Sequence, residues 1–148
     1  MKASHKLIEL IKRFEGFSPA PYKDAVGIWT IGYGSTHYAN GTAVKSTDKH
    51  ISEKEAVSLL QATLIQYENA VNHFVSVPLN QNQYDALVDF SYNCGIQNLR
   101  NSTLLKLINE GHYERAANEF EKWVHAGTRI LLGLVRRRQS EHDLFITA

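Results

Sequence analysis

The chain of 148 residues holds one cysteine, one methionine and three prolines, and its formal net charge is only +1 with histidines neutral. With Cys94 alone, no intrachain disulfide can form, so the fold must rest on its packed core. The near-balance of charge excludes the chain-wide basic field with which nucleic-acid binders hold phosphates. No window approaches the roughly 20 apolar residues of a membrane span, so no stable membrane insertion is expected. Lys2, Lys6, Glu9, Lys12, Arg13 and Glu15 break up the first turns, unlike the uninterrupted apolar stretch of a signal peptide. The expectation is synthesis in the cytosol without an export address of its own.

Other absences narrow the chemistry. His5, His37, His50, His73, His112, His125 and His142 include no pair at i,i+3 or i,i+4, and no cysteine cluster joins them. No metal and no cofactor are therefore expected. There is no Gly-Lys-Ser phosphate loop and no Gly-x-Ser-x-Gly nucleophile elbow. Cys94, in Tyr92-Asn93-Cys94-Gly95, reads as a small buried residue near a helix end rather than a nucleophile.

What is present is an ordinary globular balance, 43% hydrophobic and 21% charged, in a length that suits one domain. Leu7, Ile8, Ile11, Phe14 and Glu15 share one helical face after Ser4, a candidate cap, and Gly16 offers a stop. Pro19 and Pro21 interrupt any helix. From Val26 to Ser35 the period changes: Ile28, Thr30 and Gly32 alternate with Trp29, Ile31 and Tyr33, which predicts a small antiparallel ribbon. Asn40-Gly41 marks a turn, and Thr42–Val44 could add a third short strand.

Beyond Ser52 the pattern is helical. Ser52 and Glu55 form a capping box ahead of a helix over 53–74. Further helices are expected over 81–94, 102–109, 113–125 and 134–145, with Gly95, Gly111 and Gly127 as stops. The architecture is α+β and mainly helical, with strands segregated near the N-terminus. The expected arrangement is one domain over 1–148: a β lobe over about 16–50 and a helical lobe over about 52–148 joined by the N-terminal helix 4–15, flanking a cleft.

Glycoside hydrolysis needs one carboxyl that stays protonated near neutral pH and a second that stays charged. Glu15 lies on an apolar helix face, a setting that raises a carboxyl pKa, and Asp24 follows Lys23 in a polar loop where ionisation is cheap. Thr30 could hold a water with its hydroxyl. A Glu at a helix end and an Asp in a turn are common features, and their surroundings decide. Those are Phe14-Glu15-Gly16, Tyr22-Lys23-Asp24 and Trp29-Thr30-Ile31-Gly32-Tyr33-Gly34. Downstream come Phe90-Ser91-Tyr92-Asn93-Cys94-Gly95, Asn101-Ser102-Thr103-Leu104, Trp123-Val124-His125-Ala126-Gly127 and Gly133-Leu134-Val135-Arg136-Arg137-Arg138. Together these resemble, over nearly the whole chain, the phage-type lysozymes of glycoside hydrolase family 24, in their lambdoid-phage branch.

That resemblance implies a lysozyme-like fold and a muramidase of the endolysin kind, which cuts β-1,4 links between N-acetylmuramic acid and N-acetylglucosamine in peptidoglycan for host lysis. Glu15 would be the proton donor, Asp24 would assist the attacking water or stabilise the oxocarbenium ion, and Thr30 would position the water. Family precedent favours inversion, with carboxyls roughly 6.5–9.5 Å apart rather than about 5–5.5 Å. Asn93 and Ser102 fall near the saccharide cleft of the family, with capping or core roles as alternatives. Tyr33 could stack on a sugar or simply pack. Some relatives carry His directly after the Gly-x-Gly, where this chain has Ser35, with His37 two residues on.

The expected partner is the glycan strand of peptidoglycan, met by a monomer that leaves the host cytoplasm through a holin-type pore. Arg129, Arg136, Arg137 and Arg138 make the last helix basic. The bland reading is a solvated face tied by Arg137 to Glu141; the functional one is weak attraction to an anionic envelope. Two rival functions stand beside the muramidase: a lytic transglycosylase giving 1,6-anhydro ends, and a non-catalytic peptidoglycan-binding module.

Overall fold

The computed structural model describes residues 1–148 as seven helices and two small antiparallel hairpins. Helix α1 spans His5–Glu15 and buries Leu7, Ile8, Leu10 and Ile11. The first hairpin pairs β1, Ser18–Lys23, with β2, Trp29–Gly32. Helix α2, Glu53–Phe74, starts at the expected capping box: Ser52 Oγ accepts the Glu55 N–H at 3.1 Å, and Glu55 Oε1 accepts the Ser52 N–H at 3.1 Å. Helix α3, Gln81–Cys94, ends at Gly95, whose φ of +101° a side chain would resist.

Then follow α4, Ile96–Asn101, α5, Thr103–Asn109, and α6, Tyr113–Ala117, a 3-10 turn Phe120–Lys122, and a second hairpin of β3, His125–Ala126, with β4, Arg129–Ile130. Helix α7, Leu132–Ile146, packs on α3 and on the 3-10 turn.

Contacts group the chain into two compact units, His5–Gln66 and Met1–Ser4 with Tyr67–Ala148, the division falling within α2. This cuts the chain differently from the expected lobes over 16–50 and 52–148: α1 and the first four turns of α2 group with the first hairpin. An ionic contact joins α1 and α2 inside that unit. Lys12 of α1 reaches Glu53 of α2 at 3.0 Å, and the Tyr33 hydroxyl donates to the same carboxylate at 3.1 Å. In the other unit Ser4, expected as a helix cap, gives its hydroxyl and its backbone N–H to Asp85.

Helix α4 and the second hairpin were not expected, and three further elements depart from expectation. Ser18–Lys23 is a strand despite Pro19 and Pro21, because a two-stranded hairpin is all edge and tolerates missing donors. Thr42–Val44 forms only a single bridge, His37 to Ala43, rather than a strand. The helix expected over 113–125 breaks after Ala117. A 3-10 turn puts residues three apart on one side, and Phe120 and Trp123 thereby both meet Phe90 edge-on, at centroid distances of 5.8 and 5.4 Å.

The last helix is also not the solvated basic face that was expected. Arg137 and Arg138 are buried, and Arg137 binds Asp89 of α3 bidentately at 2.8 and 3.1 Å. Arg138 is the partner of Glu141, at 2.8 Å, and also donates to Asn93 Oδ1 at 2.7 Å. A guanidinium committed in this way offers no charge to an envelope. The inward turn of these arginines is set by the two carboxylates waiting in the interior, since a buried charge must be paired.

Candidate active site

All three residues expected to do chemistry lie in the unit His5–Gln66. Glu15 is the last residue of α1, half-buried; Gly16, at φ +70°, closes the helix with its N–H on Lys12 O at 3.0 Å. The apolar stripe that buries α1 therefore delivers Glu15 at the point where the chain leaves the helix for β1.

Asp24 stands in the turn that joins β1 to β2. Its Oδ1 accepts the N–H groups of Val26 at 3.0 Å and Ile28 at 2.9 Å, while its own N–H donates to Ile28 O at 2.9 Å. This is an Asx-type turn, in which a short carboxylate side chain replaces a backbone acceptor. It pins one carboxylate oxygen and leaves Oδ2 for other work. Thr30 is buried on β2, and its hydroxyl donates to Ile28 O at 2.9 Å. With its proton spent, Thr30 Oγ1 can only accept further hydrogen bonds.

Tyr22 is a further residue of this hairpin, and sequence reasoning missed it. It sits opposite Thr30 in the β1–β2 register. Burial pushes its phenol up, and the negative charges of Glu15 and then Asp24 push the same way. The available signal was its place two residues before Asp24, but the prolines of β1 hid the strand that aims it.

Tyr33 is buried under Phe17, 5.6 Å between centroids, with Lys12 Nζ 5.7 Å from its ring centre. Burial raises its phenol pKa, helped by the bond to Glu53, whose own carboxyl Lys12 and then Tyr33 hold low. Its ring is engaged in packing. Ser102 is the N-cap of α5: its Oγ accepts the Leu105 N–H at 3.0 Å and donates to Leu99 O at 2.7 Å. Asn93 belongs to the other unit from Glu15 and lines a recess of about 400 Å³ with Cys94, Trp123, His125 and Arg138. Burial pushes the Cys94 thiol up to about 12, which makes it a poor nucleophile.

A family model described as phage lysozyme matches residues 12–141. The endolysin of Acyrthosiphon pisum secondary endosymbiont phage 1 is 41% identical over 152 residues, with 100% of each chain covered. The endolysin of Bacillus phage B103 is 40% identical over 153 residues; 99% of this chain is matched, but it spans only 55% of that relative. Among solved structures, a mutant of P22 lysozyme superposes with a TM-score of 0.88 at 37% identity, covering 99% of both chains. The mainly helical body, the small hairpins and these similarities define a lysozyme-type glycoside hydrolase. Within that class, the chain belongs to the phage lysozyme family.

Proposed function

We propose that the chain acts as the muramidase of an endolysin, hydrolysing β-1,4 bonds between N-acetylmuramic acid and N-acetylglucosamine in the peptidoglycan of a bacterial host. The observation that carries the assignment of roles is the hairpin, which holds both Asp24, with one oxygen pinned, and a Thr30 hydroxyl that can only accept. A water held there gives one hydrogen to Asp24 Oδ2 and the other to Thr30 Oγ1. Its lone pair is then left pointing at the sugar, which is what a nucleophilic water requires.

In this reading Glu15 protonates the glycosidic oxygen, the bond from the anomeric carbon to that oxygen breaks, and the water adds to the opposite face as Asp24 takes its proton. The anomeric centre inverts. Tyr33, engaged in packing under Phe17, serves the site by shaping it. No helix is long and apolar enough to cross a membrane, and a holin-type pore is the proposed route to the wall.

Proton NMR of the first-formed reducing ends from a soluble glycan tests the mechanism. An α anomer appearing first supports inversion and the water-holding role of Asp24 and Thr30. A β anomer would make Asp24 a covalent nucleophile instead, and 1,6-anhydro ends would point to a transglycosylase.

A further inference from the structure

A surface helix of a water-soluble protein turns its apolar stripe inward and its charges outward. Over its first turns α7 does the reverse. Arg137, Arg138 and Glu141 are buried, whereas Leu132 is 62% exposed and Val135 37% exposed. Positions 132, 135, 136 and 139 are all exposed and recur at the three- and four-residue spacing of one helix face. The second hairpin continues this surface, with Ile130 64% and Leu131 39% exposed. The backbone beneath is fixed, since the Leu131 N–H donates to Val124 O at 3.1 Å and β3 pairs with β4. Four large aliphatic side chains within six residues thus face water from a firm support, an arrangement that marks an interaction surface.

Along the chain, the charge beside it has one sign. From Lys122 to Ser140 the chain contains no Asp or Glu. Of the cations in that span, Arg137 and Arg138 are turned inside, bound to Asp89 and Glu141. Arg129 and Arg136 are exposed, one directly before Ile130 and the other directly after Val135. The patch is therefore an aliphatic centre between two free guanidiniums. Protein-binding surfaces draw their energy from Trp, Tyr and Arg in pockets, with Leu and Val under-represented, and no aromatic residue lies between His125 and Arg136. Aliphatic residues ringed by cations fit a bilayer interface with anionic headgroups.

We propose that this surface docks peripherally on an anionic phospholipid bilayer. Ile130, Leu131, Leu132 and Val135 enter the boundary between headgroups and acyl chains, and Arg129 and Arg136 pair with lipid phosphates. The attachment is weak, reversible and salt-dependent, and independent of the assignment of Glu15, Asp24 and Thr30.

Co-sedimentation of the whole chain with phosphatidylcholine vesicles, with and without roughly a third of phosphatidylglycerol, tests the proposal. The wild type is expected to partition onto the anionic vesicles at low salt and to come off as salt is raised. Ile130→Ser with Leu132→Ser, both at exposed positions, should weaken that partition about tenfold or more. Arg129→Gln with Arg136→Gln should bring it down to the phosphatidylcholine level. Circular dichroism of each variant checks that it is folded. No wild-type binding, equal binding to both vesicles, or binding that both double variants retain would overturn the proposal. Self-association of the wild type in the absence of vesicles, abolished by the aliphatic double variant, would also overturn it and assign the patch to a second copy of this chain. Muropeptide release from soluble glycan is measured alongside, so failure of the lipid proposal is distinguishable from failure of the muramidase reading.

Discussion

Asp89 and Arg137 each carry a large stake in the fold. A buried, bidentate guanidinium–carboxylate pair adds little over a well-packed apolar pair, but removing one partner strands the other charge in the interior. Asp89→Ala is therefore expected to cost about 3–5 kcal/mol of unfolding free energy, whereas Arg136→Ala, one position away on an exposed face, should stay within about 0.5 kcal/mol. Urea titration of the two variants checks this, and equal losses would contradict the buried pairing. The sequence displayed Arg136, Arg137 and Arg138 as one basic run. It could not show that two of the three turn inward, because their partner Asp89 lies in a different helix. Cys94 offers a second check at this scale. With its thiol raised to about 12, it should label with a thiol reagent far more slowly in the folded protein than in urea, and similar rates would argue for an exposed thiolate.

The elements that were legible in the sequence are those whose signals are local. The capping box at Ser52 and Glu55 and the stop at Gly95 fixed α2 and α3 to their observed bounds. Ser52→Ala should cost about 1 kcal/mol, read from the thermal midpoint. Gly32 is a harsher position, since its φ is +67° and an added Cβ would meet Ala56 Cβ at 3.2 Å. Gly32→Ala should destabilise by more than 1 kcal/mol or so and lower activity through the displaced β2; a variant as stable as the wild type would contradict that packing. What stayed hidden depended on tertiary partners. The strand through Pro19 and Pro21 needs β2 beside it, and the 3-10 turn at Phe120 answers to Phe90. Glu15, Asp24 and Thr30 could be named as candidates because they sit in short motifs. Tyr22 could not, because its meaning comes from the register that sets it across from Thr30.

At the scale of the whole molecule, the buried carboxylates make stability depend on pH in opposite senses. Burial, joined by the neighbouring Asp89, pushes Glu141 well above its ordinary value of 4.5. The folded state then holds that proton more tightly than the unfolded chain, a contribution fully present below pH 4.5 and lost as pH rises through the folded value. Burial pushes Asp89 up as well, but Arg137 and a hydrogen bond from Glu141 outweigh it and hold the carboxyl below 3.8. Its contribution is present above 3.8 and lost as pH falls through the lowered value. The stability of the wild type relative to Glu141→Gln should therefore decline as pH is raised from about 4 to about 8, measured by urea midpoints. A difference that stays flat over that range would mean Glu141 carries no proton in the folded state.

Mass spectrometry of purified peptidoglycan digested with the wild type and with Glu15→Gln tests whether Glu15 is the acid of a muramidase. Removing a general acid costs on the order of 10²–10⁴ in rate. Reducing-end muropeptides are expected from the wild type and, at equal time, almost none from the variant. Equal release by both would remove Glu15 from the chemistry, and no release by either would leave a domain that binds the wall without cutting it.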